Sequence, residues 1–274
     1  AAKGFENNFS GLGAPIDNGT FINNQVFMPS IGYNSDMEIA DNNDRKEYGL
    51  GYRPTANSIT DTAAYTRNVF VHDADYVNFE AVVSTVPDQI AVAPGYLQRE
   101  WNEGGRRYFH YKMDSKILNF YSFLSARYTV KKMMWNNVNL EIYYNKGHEY
   151  NLARMFNGMQ KALGYYTTNF SPYQHKQVRI LEFPNYASFA QSFANTIPYS
   201  EAIGFIADLR DKDAIDYVFY VTAHEVAHLD QLNHSARFWS LLEKLLPGSG
   251  ELRRELDVAL AILEPTLVAI GATP

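Results

Sequence analysis

The residues of this chain best placed to do chemistry are His224, Glu225 and His228, in the run His-Glu-Val-Ala-His. Two histidines four apart on a helix project from one face, about one turn apart. Imidazole nitrogens so spaced can bind a single Zn²⁺ at about 2.0–2.1 Å. Glu225 follows the first histidine and points beside the metal rather than at it. That position suits a general base, which would hold and deprotonate a metal-bound water. Zinc lowers the pKa of such a water toward roughly 7, so a carboxylate suffices at neutral pH. The competing account makes both histidines core residues satisfied by backbone carbonyls. On a buried helix each would then need its own partner, and the metal reading answers that need for both at once.

A catalytic zinc site usually takes three protein ligands and keeps one position for water. The spacing favours His234, six residues after His228, because Asn233 tolerates the left-handed conformation that ends a helix and would swing His234 back. The alternatives are carboxylates from a following helix, Glu243, Glu251 or Glu255. Tyr217 and Tyr220 precede the motif by one to two turns. They are assigned no role, since most of the 20 tyrosines belong to core and surface.

These side chains need a helix to carry them. Asp213 is a candidate cap for a helix from about Ala214 to Leu232. Its Ile215, Val218, Phe219, Val221 and Ala223 leave little polar surface, so it should be central and buried. Ser235 would cap another helix running to Leu246, ahead of Pro247-Gly248-Ser249-Gly250. Leu252, Leu256, Ala259, Leu260 and Leu263 predict a last one. Earlier, Leu152, Met155, Phe156, Met159 and Leu163 fall at helical spacing, with Gly164 near the end of that helix. Val178 to Phe183 reads as a strand stopped by Pro184, and Ile203 to Ile206 as a second.

Before about residue 146 the pattern is β. Period-two alternation appears in Tyr76 to Val83, in Arg107 to Tyr111 and in Val138 to Tyr144. Asp17-Asn18-Gly19 signals a tight hairpin, and Asn34 to Tyr48 reads as a loop. The expected fold is α+β: a β-rich domain over residues 1–145 with antiparallel strands, then a mixed zinc-binding domain over residues 146–274.

Composition narrows the function classes. The chain has 274 residues, 46% hydrophobic and 15% aromatic, enough for a folded core. With 24 basic and 30 acidic residues the net charge is −6, and no basic block offers a footprint for nucleic acid. The absence of cysteine rules out disulfides and thiolate metal sites. The most apolar stretch, Val258 to Ala272, is broken by Glu264 and Pro265 and is too short to span a membrane. The start Ala1-Ala2-Lys3 suggests a processed form or an excised piece.

Two families are resembled over different stretches. Residues from Phe5 to His228 resemble the aminopeptidase N type of zinc aminopeptidase, particularly bacterial members attached to membrane transport proteins. The matching runs are Phe5-Glu6-Asn7-Asn8-Phe9, Ala162 to Tyr166, Arg179 to Pro184 and Val221 to His228. This resemblance implies a thermolysin-like catalytic domain after the β domain, and a membrane-attached parent. It also implies that Glu201, in Tyr199-Ser200-Glu201-Ala202-Ile203-Gly204, binds a substrate's free α-amino group. After His228 the pattern departs: the usual Gln-Trp-Trp is missing, and Pro247 stands where the glutamate ligand would be. Instead, His228 to Trp239, with Asn233-His234-Ser235 and Phe238-Trp239, is similar to the small SprT-like or YgjP-like metallopeptidases. In those the histidine matching His234 is the third ligand. A chimera joined at the zinc helix would account for both.

The function implied is hydrolysis of peptide bonds in a peptide or small protein by a zinc-activated water, with one zinc per chain and aminopeptidase-like action. The competing expectation is a zinc-stabilised scaffold with little or no turnover, whose metal site is closed by a fourth protein ligand. A β-rich binding module without metal would make both histidines coincidental.

Overall fold

A computed structural model describes residues 13–29, 38–54, 58, 60–62, 75–211, 216–229, 236–245, 248 and 250. Before residue 146 the described elements are β1 (Thr20–Asn23), α1 (Asn24–Phe27), α2 (Asn42–Glu47), β2 (Tyr76–Val77), β3 (Glu80–Thr85), β4 (Ile90–Val92), β5 (Tyr96–Glu103), β6 (Arg106–Lys112), β7 (Ile117–Leu118), β8 (Ser122–Ala126), β9 (Tyr128–Trp135) and β10 (Val138–Asn145). The first eight strands form antiparallel sheets in the orders β1-β8-β4, β3-β6-β5 and β2-β7.

A further sheet holds the candidate site. Strands β9 and β10 are an antiparallel hairpin, turned by Asn136 at φ 48. Asn tolerates that left-handed backbone, which two-residue hairpin turns demand. Next comes α3 (Leu152–Asn169), and then β11 (Gln177–Phe183) lies parallel to β10. A parallel pair needs a long crossover, and α3 supplies it. Strand β12 (Thr196–Ser200) pairs parallel with β11, giving the order β12-β11-β10-β9. This sheet draws two strands from before residue 146 and two from after it. The whole is a mixed α+β arrangement with several antiparallel sheets.

Alternation sends the two faces of this sheet to different cores. Val138, Leu140, Ile142, Val178, Ile180 and Ile197 pack with α3 and with α4 (Tyr217–His228). Tyr143, Leu181 and Phe183 pack on the opposite side with Phe21, Val92, Phe120 and Leu124. Helix α3 buries Leu152, Met155, Phe156, Met159 and Leu163, the residues its 3.6-residue period selects. Each such side chain contributes roughly 1.5–3 kcal/mol when fully buried. Truncating Met159, wholly enclosed, to Ala would cost about 2–5 kcal/mol. Where α3 meets α4, an added Cβ on Gly158 would lie 3.0 Å from Thr222 Cγ2, so a glycine allows this close approach. Helix α5 (Ala236–Leu245) packs on both, with Leu242 fully buried.

Several expectations change here. Asp17-Asn18-Gly19 leads into β1 with Gly19 at φ 92, but the partner of β1 is the distant β8, not a hairpin neighbour. Part of the expected loop from Asn34 to Tyr48 is α2, capped by Asp41, whose Oδ1 accepts from the Asn43 and Asp44 amides. Helix α3 runs through Gly164 to Asn169, because no left-handed residue stops it there. The expected strand at 203–206 is a π-helical turn, Glu201–Phe205, started by Ser200 Oγ accepting from Ala202 N. The zinc-motif helix begins later than expected: Asp216 is its cap, taking the Phe219 N–H at 3.0 Å. Asp213, Ser235 and the expected helix at 252–263 lie outside the described residues.

Candidate metal centre

Helix α4 is buried along Val218, Phe219, Thr222, Ala223, Val226 and Ala227, which turns His224 and His228 to the partly open side. Their Nε2 atoms lie 3.1 Å apart. Two nitrogens each about 2.0–2.1 Å from a tetrahedral zinc stand about 3.3 Å apart, so the pair as folded fits one ion with almost no adjustment. The His224 ring is held between Tyr220 and Trp239, with centroids 5.9 and 6.1 Å away. Tyr220 is therefore a packing partner of the motif, and Tyr217 lies a turn earlier on the same helix.

Glu225 is 6% exposed. Its partner comes from the loop that follows β11. That loop folds back along β12, with Gln191 N donating to Pro198 O and Phe193 N to Thr196 O. The path places Ser192 against α4, where its Oγ lies 2.8 Å from Glu225 Oε2 and 2.5 Å from the Glu225 carbonyl oxygen. Burial pushes the Glu225 carboxyl up to about 7, while the Ser192 hydrogen bond pulls it down.

A cavity of about 370 Å³ opens beside this group. His228, Ser192 and His175 line it together with Ile117, Leu118 and Phe120. The motif helix thus faces a cleft walled by the β-rich part of the chain.

No third His, Asp or Glu among the described residues joins His224 and His228 in a metal-sized group. His234, Glu251 and Glu255 lie outside the described residues. Glu243 is exposed on α5, and its carboxylate accepts from Gly248 N at 2.7 Å and Gly250 N at 3.0 Å. It serves there as an acceptor for the chain leaving α5.

Glu201 belongs to a different group. It is 4% exposed at the start of the π-helical turn, and its Oε1 accepts from Asn185 N at 2.8 Å. Its other oxygen lies 4.0 Å from His148 Nδ1, which also bonds Glu182 Oε1. Asn145 N donates to Glu182 Oε2 at 2.5 Å. His148, Glu182 and Glu201 keep ligand atoms within 4.8 Å of one another, all buried. Burial pushes Glu182 up to about 7, against the pull of His148 and the Asn145 amide. Ser192, His175, His148 and Glu182 were not singled out from sequence. Each acts through contacts distant along the chain, and the Arg179 to Pro184 run that contains Glu182 gave that residue no role.

One family model, described as YgjP-like, metallopeptidase domain, matches residues 211–259. That stretch holds α4 and α5 but less than half of the chain. It supports a zinc metallopeptidase in general and the C-terminal part of the resemblance. The aminopeptidase N resemblance over Phe5 to His228 finds no support in it. No curated protein matches the chain.

Proposed function

We propose that this chain is a zinc-dependent metallopeptidase, with the metal held by His224 and His228 and by His234 as third protein ligand. The observation that carries this reading is the 3.1 Å approach of the two Nε2 atoms on α4 beside the buried carboxyl of Glu225. When bound, zinc supplies Lewis-acid polarisation and lowers the pKa of a coordinated water. Glu225 accepts the proton of the attacking water and later delivers it to the amine nitrogen. The water oxygen bonds to the peptide carbon, and the C=O pair moves onto the carbonyl oxygen. That pair returns as the C–N bond breaks. Ser192 holds the Glu225 carboxyl in place through Oε2.

The finer reading is aminopeptidase-like action in a thermolysin-like mixed domain, with a YgjP-like segment joined at α4. Glu201 then takes the free α-amino group of a peptide or small protein. This part rests on the resemblance at Tyr199 to Gly204, which assigns Glu201 that role. Equal cleavage of free and N-acetylated peptides would remove this part of the reading.

The central test is metal content. Protein incubated with zinc and then freed of excess should hold about one ion per chain, and His224→Ala or His228→Ala should hold almost none. Full occupancy in both variants would end the proposal. Full occupancy in the parent with no turnover on any peptide reporter would leave the metal a structural role.

A further inference from the structure

The mechanism above leaves the carbonyl oxygen, which gains charge as water adds, without a protein donor. The cleft contains a polar side chain with no other duty. His175 lies in the turn between α3 and β11, is 7% exposed, and lines the same cavity as His228 and Ser192. Its ring is held edge-on by Tyr173, with centroids 5.5 Å apart and an interplanar angle of 84°. Tyr173 is itself anchored, its hydroxyl donating to Gln177 O at 3.2 Å. The ring is therefore fixed by packing. Its Nδ1 is enclosed and has no hydrogen-bond partner.

A buried polar atom left unpaired is destabilising, more so for a donor than for an acceptor. Burial also holds the His175 pKa below its ordinary value, against the pull of Asp114, so the ring is neutral at neutral pH. A neutral imidazole carries one proton, on one nitrogen or the other. An enclosed N–H with no acceptor is rarer and costlier than an enclosed lone pair. The proton accordingly belongs on Nε2, and the polar atom left to serve the cavity is a donor.

We propose that His175 is a catalytic residue, donating from Nε2 to the scissile carbonyl oxygen of a bound peptide. A donor fixed before the reaction strengthens most as that oxygen becomes negative, and so lowers the barrier more than it tightens substrate binding. This proposal rests on the metallopeptidase reading and is tested so that the two fail separately.

The variants are His175→Phe, which keeps the packed ring shape without a donor, and His175→Gln, which restores an N–H donor. Zinc content and thermal midpoint are measured on both. Two functional readouts follow: kcat and KM on a peptide reporter, and affinity for a phosphinic pseudo-peptide whose tetrahedral oxygens mimic the charged carbonyl oxygen. His175→Phe should retain zinc and lose about 100-fold in kcat and in phosphinic affinity, with KM little changed. His175→Gln should recover part of each loss. Unchanged kcat and phosphinic affinity in zinc-loaded His175→Phe would overturn the assignment while leaving the metallopeptidase reading intact. A rise in KM alone would also overturn it, since the donor would then grip the ground state. If turnover is too slow to follow, the phosphinic affinities decide. Should His224→Ala keep both zinc and phosphinic affinity, the underlying reading fails first, and the role of His175 with it.

Discussion

Glu225 and Gln are nearly the same shape, so exchanging them separates proton transfer from packing. Glu225→Gln should keep its zinc and its Ser192 contact and lose at least about 100-fold in kcat, because an amide cannot take the water's proton. A zinc-loaded variant with parental turnover would remove Glu225 from the mechanism. The third ligand is a separate question at the same scale. His234→Ala should weaken zinc binding strongly in competition with a chelator, since a two-point site is completed poorly by water. Glu243→Ala should change it little, because that carboxylate already serves Gly248 N and Gly250 N. Equal chelator resistance of His234→Ala and parent would move the third ligand to another residue. The chelating pair was legible in the sequence because i and i+4 positions on a helix meet by geometry alone. Ser192 was not, since its place beside Glu225 depends on a loop folding back along β12.

At the scale of elements, the π-helical turn Glu201–Phe205 is locked between β12 and α3. A Cβ added to Gly204 would stand 2.3 Å from Tyr199 Cε1 and 2.8 Å from Met155 Cε, and both side chains are fully buried. Neither can retreat without opening the core. Gly204→Ala should therefore cost about 1–3 kcal/mol or more, read as a lower denaturant midpoint. A variant as stable as the parent would show that Tyr199 has room to move. This turn marks where sequence reading ran out. Ile203 and Phe205 alternate as a strand would, and only tertiary packing makes them helical. By contrast the existence of β10 and of α3 was legible, because each is a regular element whose apolar residues recur with its period, 2.0 or 3.6. Strand β12 went unseen. Pro198 interrupts its apolar pattern, and its identity as a strand comes from lying beside β11.

For the whole molecule, one fully buried cation joins the two halves. Arg179 on β11 donates to Ala93 O at 2.8 Å from the β-rich part, and to Thr196 Oγ1 at 2.9 Å and Asn195 Oδ1 at 3.2 Å beside β12. The overall composition announced a folded globular chain, but nothing in it marked this arginine as interior. Glu182, in the buried group with His148 and Glu201, contributes to the response to pH. Glu182 has a pKa pushed up to about 7 in the fold, against an ordinary 4.5. The folded state thus binds the extra proton between those values, so this contribution is fully present below about 4.5 and is lost as pH rises through about 7. The thermal midpoint should fall between pH 5 and pH 8, and Glu182→Gln should flatten that fall, by at most about 3 kcal/mol. An identical slope in parent and variant would show that Glu182 does not titrate in this window. The parallel pairing of β10 with β11 also has a consequence in time. A ribosome adds roughly 5–20 residues per second, so β10, with its apolar Val138, Leu140 and Ile142, leaves the exit tunnel seconds before its partner across α3 does. During that interval the nascent chain presents an apolar strand edge, the kind of surface that chaperones bind and that neighbouring chains on a polysome can pair with.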